Sequence, residues 1–341
     1  MKVLLIKTSS LGDVIHALPA VTEAASRLSD LELTWVVEES FADLVQMHPA
    51  VTRVIPVAIR RWRKSWIRSW PEVRSFLSEL KDTRYDLVVD SQGLIKSAAI
   101  AFFARGNVHG FEPGSAREPL AARFYTFQHK VDSASHAVNR QKQLLAASLS
   151  YQMKPEVIYG LGRSNKTRDD ILFVPSTTWP SKEWPLSCWQ KLADHVVEEG
   201  FRLLVPAGRK SEGLTASAIL GNRPGEVLAD RSLGELAHIM SSCAGAVTVD
   251  TGLGHLAVAL NLPVVGLYGS TDPKLTGLTG GDARLIVSNH LQCIPCKRRV
   301  CHFRNSSDSS KIYPPCFSQS TPERVWRALQ LQIGKRDIKL G

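Results

Sequence analysis

Short apolar runs alternate along the chain with segments whose apolar residues recur at helical spacing. The run Val3–Lys7 is followed by the loop Thr8–Asp13 and then by Val14, Leu18, Val21 and Ala25, which is the order strand, loop, helix. The same alternation predicts strands at Leu33–Val37, Val51–Ile59 and Asp86–Asp90, and helices after Gly93 and over Ala137–Ser150. Strands that are apolar on both faces and alternate with helices indicate a parallel sheet covered by helices on both sides.

A second array of the same kind starts near residue 170. It predicts strands at Ile171–Pro175, Arg202–Pro206, Glu226–Leu228, Ala244–Asp250 and Val264–Gly269, with helices starting at Leu186, Ser211, Leu233 and Leu253. The polar stretch Gly160–Asp170 is the expected linker, and Thr321–Ile333 is the expected closing helix. The pattern therefore predicts two Rossmann-like domains, residues 1–160 and 161–341, whose ligands bind beyond the carboxyl ends of the strands.

The charge of the chain adds a preference for anionic partners. Its 341 residues are 44% hydrophobic and carry a formal net charge of +10, which favours phosphate, nucleic acid or an acidic membrane surface without choosing among them. The N-terminal apolar run is too short for a signal sequence, and no stretch is long and apolar enough to span a membrane. We therefore expect a cytosolic protein.

The sequence lacks the motifs that are typical of several enzyme classes. No G-x-G-x-x-G follows the first strand, and the chain contains no P-loop, H-E-x-x-H, G-x-S-x-G or D-x-D motif. Dehydrogenases, P-loop NTPases, zinc metalloproteases and α/β-hydrolases are therefore disfavoured. The absence of D-x-D also disfavours the metal-binding site that this motif forms in single-domain glycosyltransferases.

The segment Val249–His255 places one acidic residue and two glycines between an apolar strand and a helix. Glycines at this position let a phosphate approach the backbone N–H groups of a helix N-terminus. An ordinary strand-to-helix turn, with Thr251 as the N-cap, explains the pattern equally well.

Three further segments have both a chemical and a structural interpretation. Thr177, Thr178 and Lys182 follow a predicted strand, where they can bind a diphosphate or simply form a solvated turn. Glu212 follows the Gly208 turn and can accept from a ribose hydroxyl or stabilise a first helical turn. Asp13 ends the first loop, where it can act as a general base or as a first-turn acid.

The segment Arg60–Trp70 is basic and rich in tryptophan. If it is one helix, Trp62, Trp66 and Trp70 share a face, which suits an anionic membrane or a phosphorylated lipid. A solvated basic face with packed tryptophans is the alternative. Stacking on nucleic acid is a third interpretation, but no recognised binding module accompanies the segment.

Four of the six cysteines, Cys293, Cys296, Cys301 and Cys316, cluster in one loop, residues 293–316. The spacing is not that of a standard zinc ribbon, so zinc, an iron–sulfur cluster and a plain structural or variably oxidised loop all stay open.

Taken together, these segments resemble the ADP-heptose:lipopolysaccharide heptosyltransferase family. The matching motifs run in family order: Lys7–Val14, Trp35–Glu39, Val54–Lys64, Asp90–Leu94, Ala116–Ala121, Val249–His255 and Tyr268–Pro273. The resemblance implies an α/β GT-B fold, two Rossmann-like domains with parallel sheets facing across a cleft. It also implies an inverting transferase without metal or other cofactor, which works on the cytoplasmic face of the inner membrane.

By the same resemblance, the first domain binds Kdo-lipid A and the second binds ADP-L-glycero-D-manno-heptose. Asp13 would be the base that deprotonates the acceptor. The donor site would consist of Thr177, Thr178, Lys182, Glu212, Asp250, Thr251, Gly252, Leu253 and His255, and the acceptor site of Arg60, Arg61, Arg63, Lys64 and Arg117. The cysteine loop is more similar to family members that heptosylate an already heptosylated core.

Two other functions are compatible with parts of the pattern. A nucleotide-sugar epimerase shares the two-domain fold but would leave the basic tryptophan segment without a role. A nucleic-acid-binding protein would use the positive charge and would bind any duplex with steep salt dependence. The resemblance disfavours both, and we expect no nucleic-acid partner.

Overall fold

The computed structural model describes residues 1–164, 167–287, 290–303 and 312–340, except for the side chains of residue 66 and residues 335–340. The chain divides into two compact units, Met1–Leu161 and Gly162–Gly341. This division lies one residue from the boundary expected at 160/161. No helix in the described ranges is long and apolar enough to cross a membrane.

The first unit holds a six-stranded sheet in which every neighbouring pair is parallel. Its strands are β1 (Lys2–Ile6), β2 (Glu32–Glu38), β3 (Val51–Val57), β4 (Arg84–Asp90), β5 (Arg105–Phe111) and β6 (Phe127–His129). Its helices are α1 (Leu11–Arg27), α2 (Ala42–Gln46), α3 (Ile59–Trp62), α4 (Trp66–Asp82), α5 (Ile95–Phe103) and α6 (Ala137–Leu149), with 3-10 turns at Glu39–Phe41 and Pro119–Phe124.

The second unit repeats this architecture with a second fully parallel sheet. Its strands are β7 (Arg168–Val174), β8 (Arg202–Ala207), β9 (Gly225–Ala229), β10 (Cys243–Val249), β11 (Val264–Tyr268) and β12 (Ala283–Val287). Its helices are α7 (Leu186–Glu198), α8 (Lys210–Leu220), α9 (Leu233–Ser241), α10 (Gly252–Ala259), α11 (Pro273–Thr276) and α12 (Pro322–Leu340), with 3-10 turns at Pro180–Lys182 and Pro315–Phe317.

Both sheets have the doubly wound strand order. The first sheet runs β3-β2-β1-β4-β5-β6, and the second runs β12-β11-β10-β7-β8-β9, which is the same order read from the opposite edge. The direction of winding reverses between β1 and β4 in the first unit and between β7 and β10 in the second. Ligands of such sheets bind at the carboxyl ends of the strands on either side of this reversal. Each unit therefore has one expected binding position.

The predicted apolar runs form the centres of both sheets. Val3, Leu4, Leu5 and Ile6 of β1 are fully buried, as are Val14, Leu18 and Val21 of α1, which covers one face of the sheet. In the second unit Phe173 of β7 packs against Trp189 of α7, and the ring centroids are 5.1 Å apart. The closing helix was predicted over Thr321–Ile333 and is α12, which packs against α7 and the strands β10 to β12.

One expectation about local structure was wrong, and one alternative that the sequence left open is decided by the structure. Within the predicted linker Gly160–Asp170, the residues from Arg168 onward belong to β7, because Arg168 already pairs with Cys243 of β10 in the parallel sheet. Residues 165 and 166 of that linker lie outside the described ranges. The segment Arg60–Trp70 is not one helix, since α3 ends at Trp62 and α4 starts at Trp66.

The break in the basic segment has a visible cause. Trp62 turns back onto α4, where its indole N–H donates to Glu72 at 3.0 Å and its ring meets Phe76 edge-on at 5.7 Å. Arg61 pairs with the same Glu72 carboxylate at 2.8 Å. These contacts hold the short α3 against α4, so the segment does not have the continuous face of a single helix.

Candidate active site

Asp13 lies in the first turn of α1, directly after the loop that follows β1. Its Oδ2 accepts from the backbone N–H of Ser10 at 2.8 Å and from the Ser10 hydroxyl at 3.0 Å, so the carboxylate closes a capping box. The side chain is half-buried and stands at the winding reversal between β1 and β4. The structural and the chemical interpretations of Asp13 are therefore compatible.

The loop before Asp13 is held by residues that the sequence did not single out. Gln92, after β4, accepts through Oε1 from the backbone N–H groups of Thr8 and Ser9 at 3.1 and 3.3 Å. Lys7 donates through Nζ to the carbonyl of Ser91 at 2.9 Å. Both residues stood in matching motifs, but bonds that link positions more than 80 apart cannot be read from the spacing.

Lys7 and Asp90 are buried titratable side chains at the carboxyl ends of β1 and β4. Burial lowers the pKa of the Lys7 ammonium group, while the nearby carboxylates of Asp13 and Asp90 act in the opposite direction. Burial raises the pKa of Asp90, although Tyr125, at 2.7 Å, and Ser97, at 2.9 Å, donate hydrogen bonds to its Oδ2. This network fixes the carboxyl ends of β1 and β4.

The predicted acceptor residues lie near the carboxyl ends of these strands but differ in how firmly their side chains are held. Arg61 is held by Glu39 and by Glu72, which together raise its pKa. Arg63 and Lys64 are exposed in the turn between α3 and α4. The side chain of Arg61 is thus held by two ion pairs, whereas Arg63 and Lys64 are exposed on the turn.

Arg60 and Arg117 complete the predicted acceptor set. The Arg60 guanidinium lies over the Phe41 ring, 5.6 Å from its centroid. Arg117 is exposed, and its backbone passes close to Gly93. Gly93 has φ of +68°, and an added Cβ there would lie 3.1 Å from Phe111 and 3.4 Å from the Arg117 nitrogen. A glycine is therefore needed where the two segments meet.

In the second unit, Lys182, Asp250 and His255 meet at the winding reversal between β7 and β10. Lys182 Nζ lies 2.7 Å from Asp250 Oδ2, and His255 Nε2 lies 3.8 Å from Asp250 Oδ1. Burial opposes ionisation of Asp250, but the hydrogen bond from His255 and the Lys182 ammonium outweigh it and lower the pKa of Asp250 to about 2. Asp250 is thus an anion that holds Lys182 in place.

The helix α10 starts directly after this cluster. Thr251 is its N-cap residue, with extended backbone and no side-chain capping bond. Gly252 and Leu253 follow in the first turn, whose N–H groups have no partner inside a helix. Gly254 packs tightly, since an added Cβ would lie 2.5 Å from Thr248 Oγ1. The arrangement suits an anion such as a phosphate.

The remaining predicted donor residues lie on neighbouring loops of the same edge. Thr177 is half-buried and Thr178 is exposed, both between β7 and Lys182. Glu212 closes the capping box of α8, accepting from the N–H groups of Gly208 and Arg209 at 2.9 and 3.1 Å and from the Arg209 guanidinium. The first-turn role of Glu212 is visible, and a ribose contact would have to share the same carboxylate.

Comparison with known proteins identifies the family. The sequence profile of glycosyltransferase family 9 (heptosyltransferase) matches residues 73–306. The chain belongs to glycosyltransferase family 9. This family 9 chain is 41% identical to lipopolysaccharide heptosyltransferase 1 of Pseudomonas aeruginosa, and the match covers 98% of both chains.

Solved structures of an Escherichia coli relative match the fold of the family 9 chain. The structure of heptosyltransferase WaaC with ADP is similar with a TM-score of 0.80 and 39% identity, covering 84% of this chain and 92% of the other. A second structure of WaaC, with ADP-2-deoxy-2-fluoro heptose, gives 0.78 and 38%, covering 85% and 94%. These matches confirm the predicted GT-B fold.

The cysteine loop of this family 9 member packs beside Lys182. Ser181 donates through Oγ to the carbonyl of Arg298 at 2.5 Å, and the N–H of Lys297 donates to the carbonyl of Ser270 at 2.7 Å. Cys293, Cys296, Cys301 and Cys316 line one small cavity of about 20 Å³ together with Ser181 and Ser270. The loop therefore packs against the edge of the sheet that carries the predicted donor site.

The four thiols are free in the structure. Burial, together with the neighbouring cysteines, raises the pKa of Cys316 to about 12, so its thiol is protonated at neutral pH. Among the described residues, no three histidine, cysteine or acidic side chains are arranged to hold a metal ion.

Proposed function

We propose that the protein transfers L-glycero-D-manno-heptose from ADP-heptose to a Kdo residue of Kdo-lipid A, a step of lipopolysaccharide inner-core biosynthesis. The observation that carries the proposal is the pairing of Lys182 with Asp250 at the start of α10. A fixed ammonium group beside a helix N-terminus suits the diphosphate of a sugar nucleotide. The 41% identical relative bears the name lipopolysaccharide heptosyltransferase 1, which supports the choice of sugar and acceptor.

In this proposal the two units have separate tasks. The first unit binds the acceptor, and its exposed cations meet the phosphates and carboxylates of Kdo-lipid A. The acceptor-binding residues are Arg60, Arg61, Arg63, Lys64 and Arg117. The second unit binds ADP-heptose. The donor-binding residues are Thr177, Thr178, Lys182, Glu212, Asp250, Thr251, Gly252, Leu253 and His255.

The proposed reaction is a direct displacement. Asp13 accepts the proton of the acceptor hydroxyl as that oxygen attacks the anomeric carbon of the heptose. The bond to the ADP oxygen breaks at the same time, so the anomeric centre is inverted. Lys182 and the N–H groups at the start of α10 stabilise the negative charge that develops on the departing diphosphate. Protein cations and backbone dipoles neutralise the leaving group, so the scheme uses no metal.

The acceptor is a membrane lipid, which gives the protein a location in this proposal. It works on the cytoplasmic face of the inner membrane and associates with that face peripherally. The exposed cations Arg63 and Lys64 favour an anionic lipid surface.

A second candidate acceptor follows from the cysteine loop. Cys293, Cys296, Cys301 and Cys316 form a cluster that is more typical of family members acting on an already heptosylated core. An enzyme of that second type would use the same donor and the same base. The two candidates differ only in the sugar that the first unit holds.

Acceptor choice tests the proposal. We expect the purified protein, given ADP-heptose, to add one heptose to Kdo-lipid A at least about tenfold faster than to a heptosylated core, because a site built for one set of polar groups rejects another. Mass spectrometry of the lipid products measures both rates in parallel reactions. The reverse preference would assign the protein to the second type, and no transfer to either acceptor would refute the proposed function.

A further inference from the structure

Helix α5 and the 3-10 turn Pro119–Phe124 carry a cluster of exposed apolar side chains. The members are Ile95, Phe102, Phe103, Leu120 and Phe124, and between 37% and 63% of each is exposed. We refer to these five residues as the α5 patch. None of the five belongs to the predicted donor or acceptor set.

The three aromatic members of the α5 patch are in contact with one another. The ring of Phe102 meets Phe103 at 5.7 Å and Phe124 at 6.1 Å between centroids, both edge-on. At the other end of α5, the backbone N–H of Ile95 donates to Glu118 at 2.7 Å, next to the start of the 3-10 turn. The helix and the turn are thus joined at both ends. An exposed cluster of three phenylalanines is unusual on a protein surface and marks an interaction site.

Cations surround the aromatic end of the α5 patch. Lys81 Nζ lies 5.5 Å from the centroid of the Phe103 ring. Arg105 donates to the carbonyl of Lys81 at 3.5 Å, and Arg123 is exposed beside Phe124. The acidic Glu118 is engaged with the N-terminus of α5. Phenylalanine rings flanked by exposed lysine and arginine are the composition that binds the headgroup region of an anionic bilayer.

The first turn of α5 contacts the loop that leads to Asp13. Lys96, in the first turn of α5, donates through Nζ to the Ser9 hydroxyl at 3.4 Å. Ser9 belongs to the loop that leads to Asp13. The amino end of α5 is therefore joined to the loop of the proposed base, while Phe102 and Phe103 lie at the opposite end of the same helix.

We propose that the α5 patch docks the first unit onto an anionic lipid bilayer. Phe102, Phe103 and Phe124 enter the boundary between headgroups and acyl chains, while Lys81 and Arg123 bind lipid phosphates. The docking holds the first unit, which carries Asp13, at the membrane surface where a lipid-anchored acceptor lies. This inference rests on the proposed function for the identity of the acceptor, but the bilayer contact itself needs no substrate.

The first test measures vesicle binding without any substrate. The full chain is sedimented with vesicles of phosphatidylethanolamine and phosphatidylglycerol, and in parallel with vesicles of phosphatidylcholine. We expect wild type to bind the anionic vesicles and the double variant Phe102→Ser/Phe124→Ser to bind about tenfold less, because two rings no longer enter the lipid. The control Ile158→Ser removes an equally exposed apolar side chain of the same unit and should bind as wild type does.

The second test measures transfer. The double variant should lose transfer to an acylated acceptor held in those vesicles, yet retain transfer to the same acceptor freed of its acyl chains. A single charge reversal, Arg123→Glu, should also weaken binding to the anionic vesicles. This variant replaces the double variant in both tests if the double variant does not fold.

Three results would overturn the docking proposal. They are absence of wild-type binding to anionic vesicles, unchanged binding by both variants, and equal loss of transfer to the acylated and the deacylated acceptor. A failure of the proposed function is distinguishable, since wild type would then transfer nothing to the deacylated acceptor whatever the vesicles show.

Discussion

Replacing Lys182 by methionine is expected to lower kcat/KM for heptose transfer about 100- to 1000-fold, the usual effect of removing one charge-stabilising donor. Lys182 is held 2.7 Å from Asp250 at the start of α10, in the position proposed for the leaving diphosphate. Methionine keeps the length of the side chain and removes its charge. Calorimetric titration with ADP should show the loss of affinity directly.

The same substitution should also destabilise the fold. Asp250 is 7% exposed and would keep only His255 as a close partner in the cluster, so we expect the free energy of unfolding to fall by about 3 kcal/mol at neutral pH. The pKa of Asp250 is lowered from its usual value to about 2, so its contribution is fully present above about pH 4 and is lost as the pH falls toward 2. The stability difference between wild type and variant should shrink over that same range.

A matched variant separates the two roles of Lys182 from a general effect of charge. Lys191→Met removes an exposed lysine from α7, in the same unit. It should leave kcat/KM, ADP affinity and the urea midpoint unchanged. Retention of more than a tenth of wild-type kcat/KM by Lys182→Met would show that Lys182 does not stabilise the leaving group.

Replacing Asp13 by asparagine is expected to lower kcat about 1000-fold, within the range that a general base contributes. The asparagine carbonyl can still accept from the backbone N–H of Ser10, so the cap of α1 is preserved and the fold should remain intact. ADP-heptose affinity should also be unchanged, because the proposed donor site lies in the other unit. Stopped-time transfer assays and thermal unfolding measure the two effects separately.

The control for Asp13 is another acid in a first helical turn. Asp43 occupies the first turn of α2 and is exposed, so Asp43→Asn tests the loss of a comparable helix-terminal charge. We expect near-wild-type transfer from it. If Asp13→Asn were as active as this control, Asp13 would be only a capping residue.

The sequence predicts the central strands of each sheet and the edge strands β3 and β9, but it misses strands at or next to the opposite edges. Strands such as β1 and β10 are buried on both faces and stand out as apolar runs. The strands β5, β6 and β12 were not predicted. They lie at or next to sheet edges, have partly exposed patterns, and in the case of β6 (Phe127–His129) comprise three residues. A strand that is buried on one side only lacks the run by which its neighbours are recognised.

The sequence places candidate site residues at strand ends but does not reveal their contacts. Lys182 and Asp250 were each singled out after a predicted strand, and the doubly wound order brings the two strands side by side. Gln92 was not singled out, because its bonds to Thr8 and Ser9 exist only once β1 and β4 pair. The capping role of Glu212 was foreseen as one of two interpretations, and local spacing alone could not choose between them.

The most direct test of the central claim is transfer of heptose from ADP-heptose to Kdo-lipid A by the wild-type protein in excess EDTA, with the anomeric configuration of the product read by NMR. We expect undiminished transfer and an inverted anomeric centre, because Asp13 supplies the base and Lys182 with α10 stabilises the negative charge of the leaving ADP. Loss of transfer that added divalent metal restores, or a product with retained configuration, would contradict it.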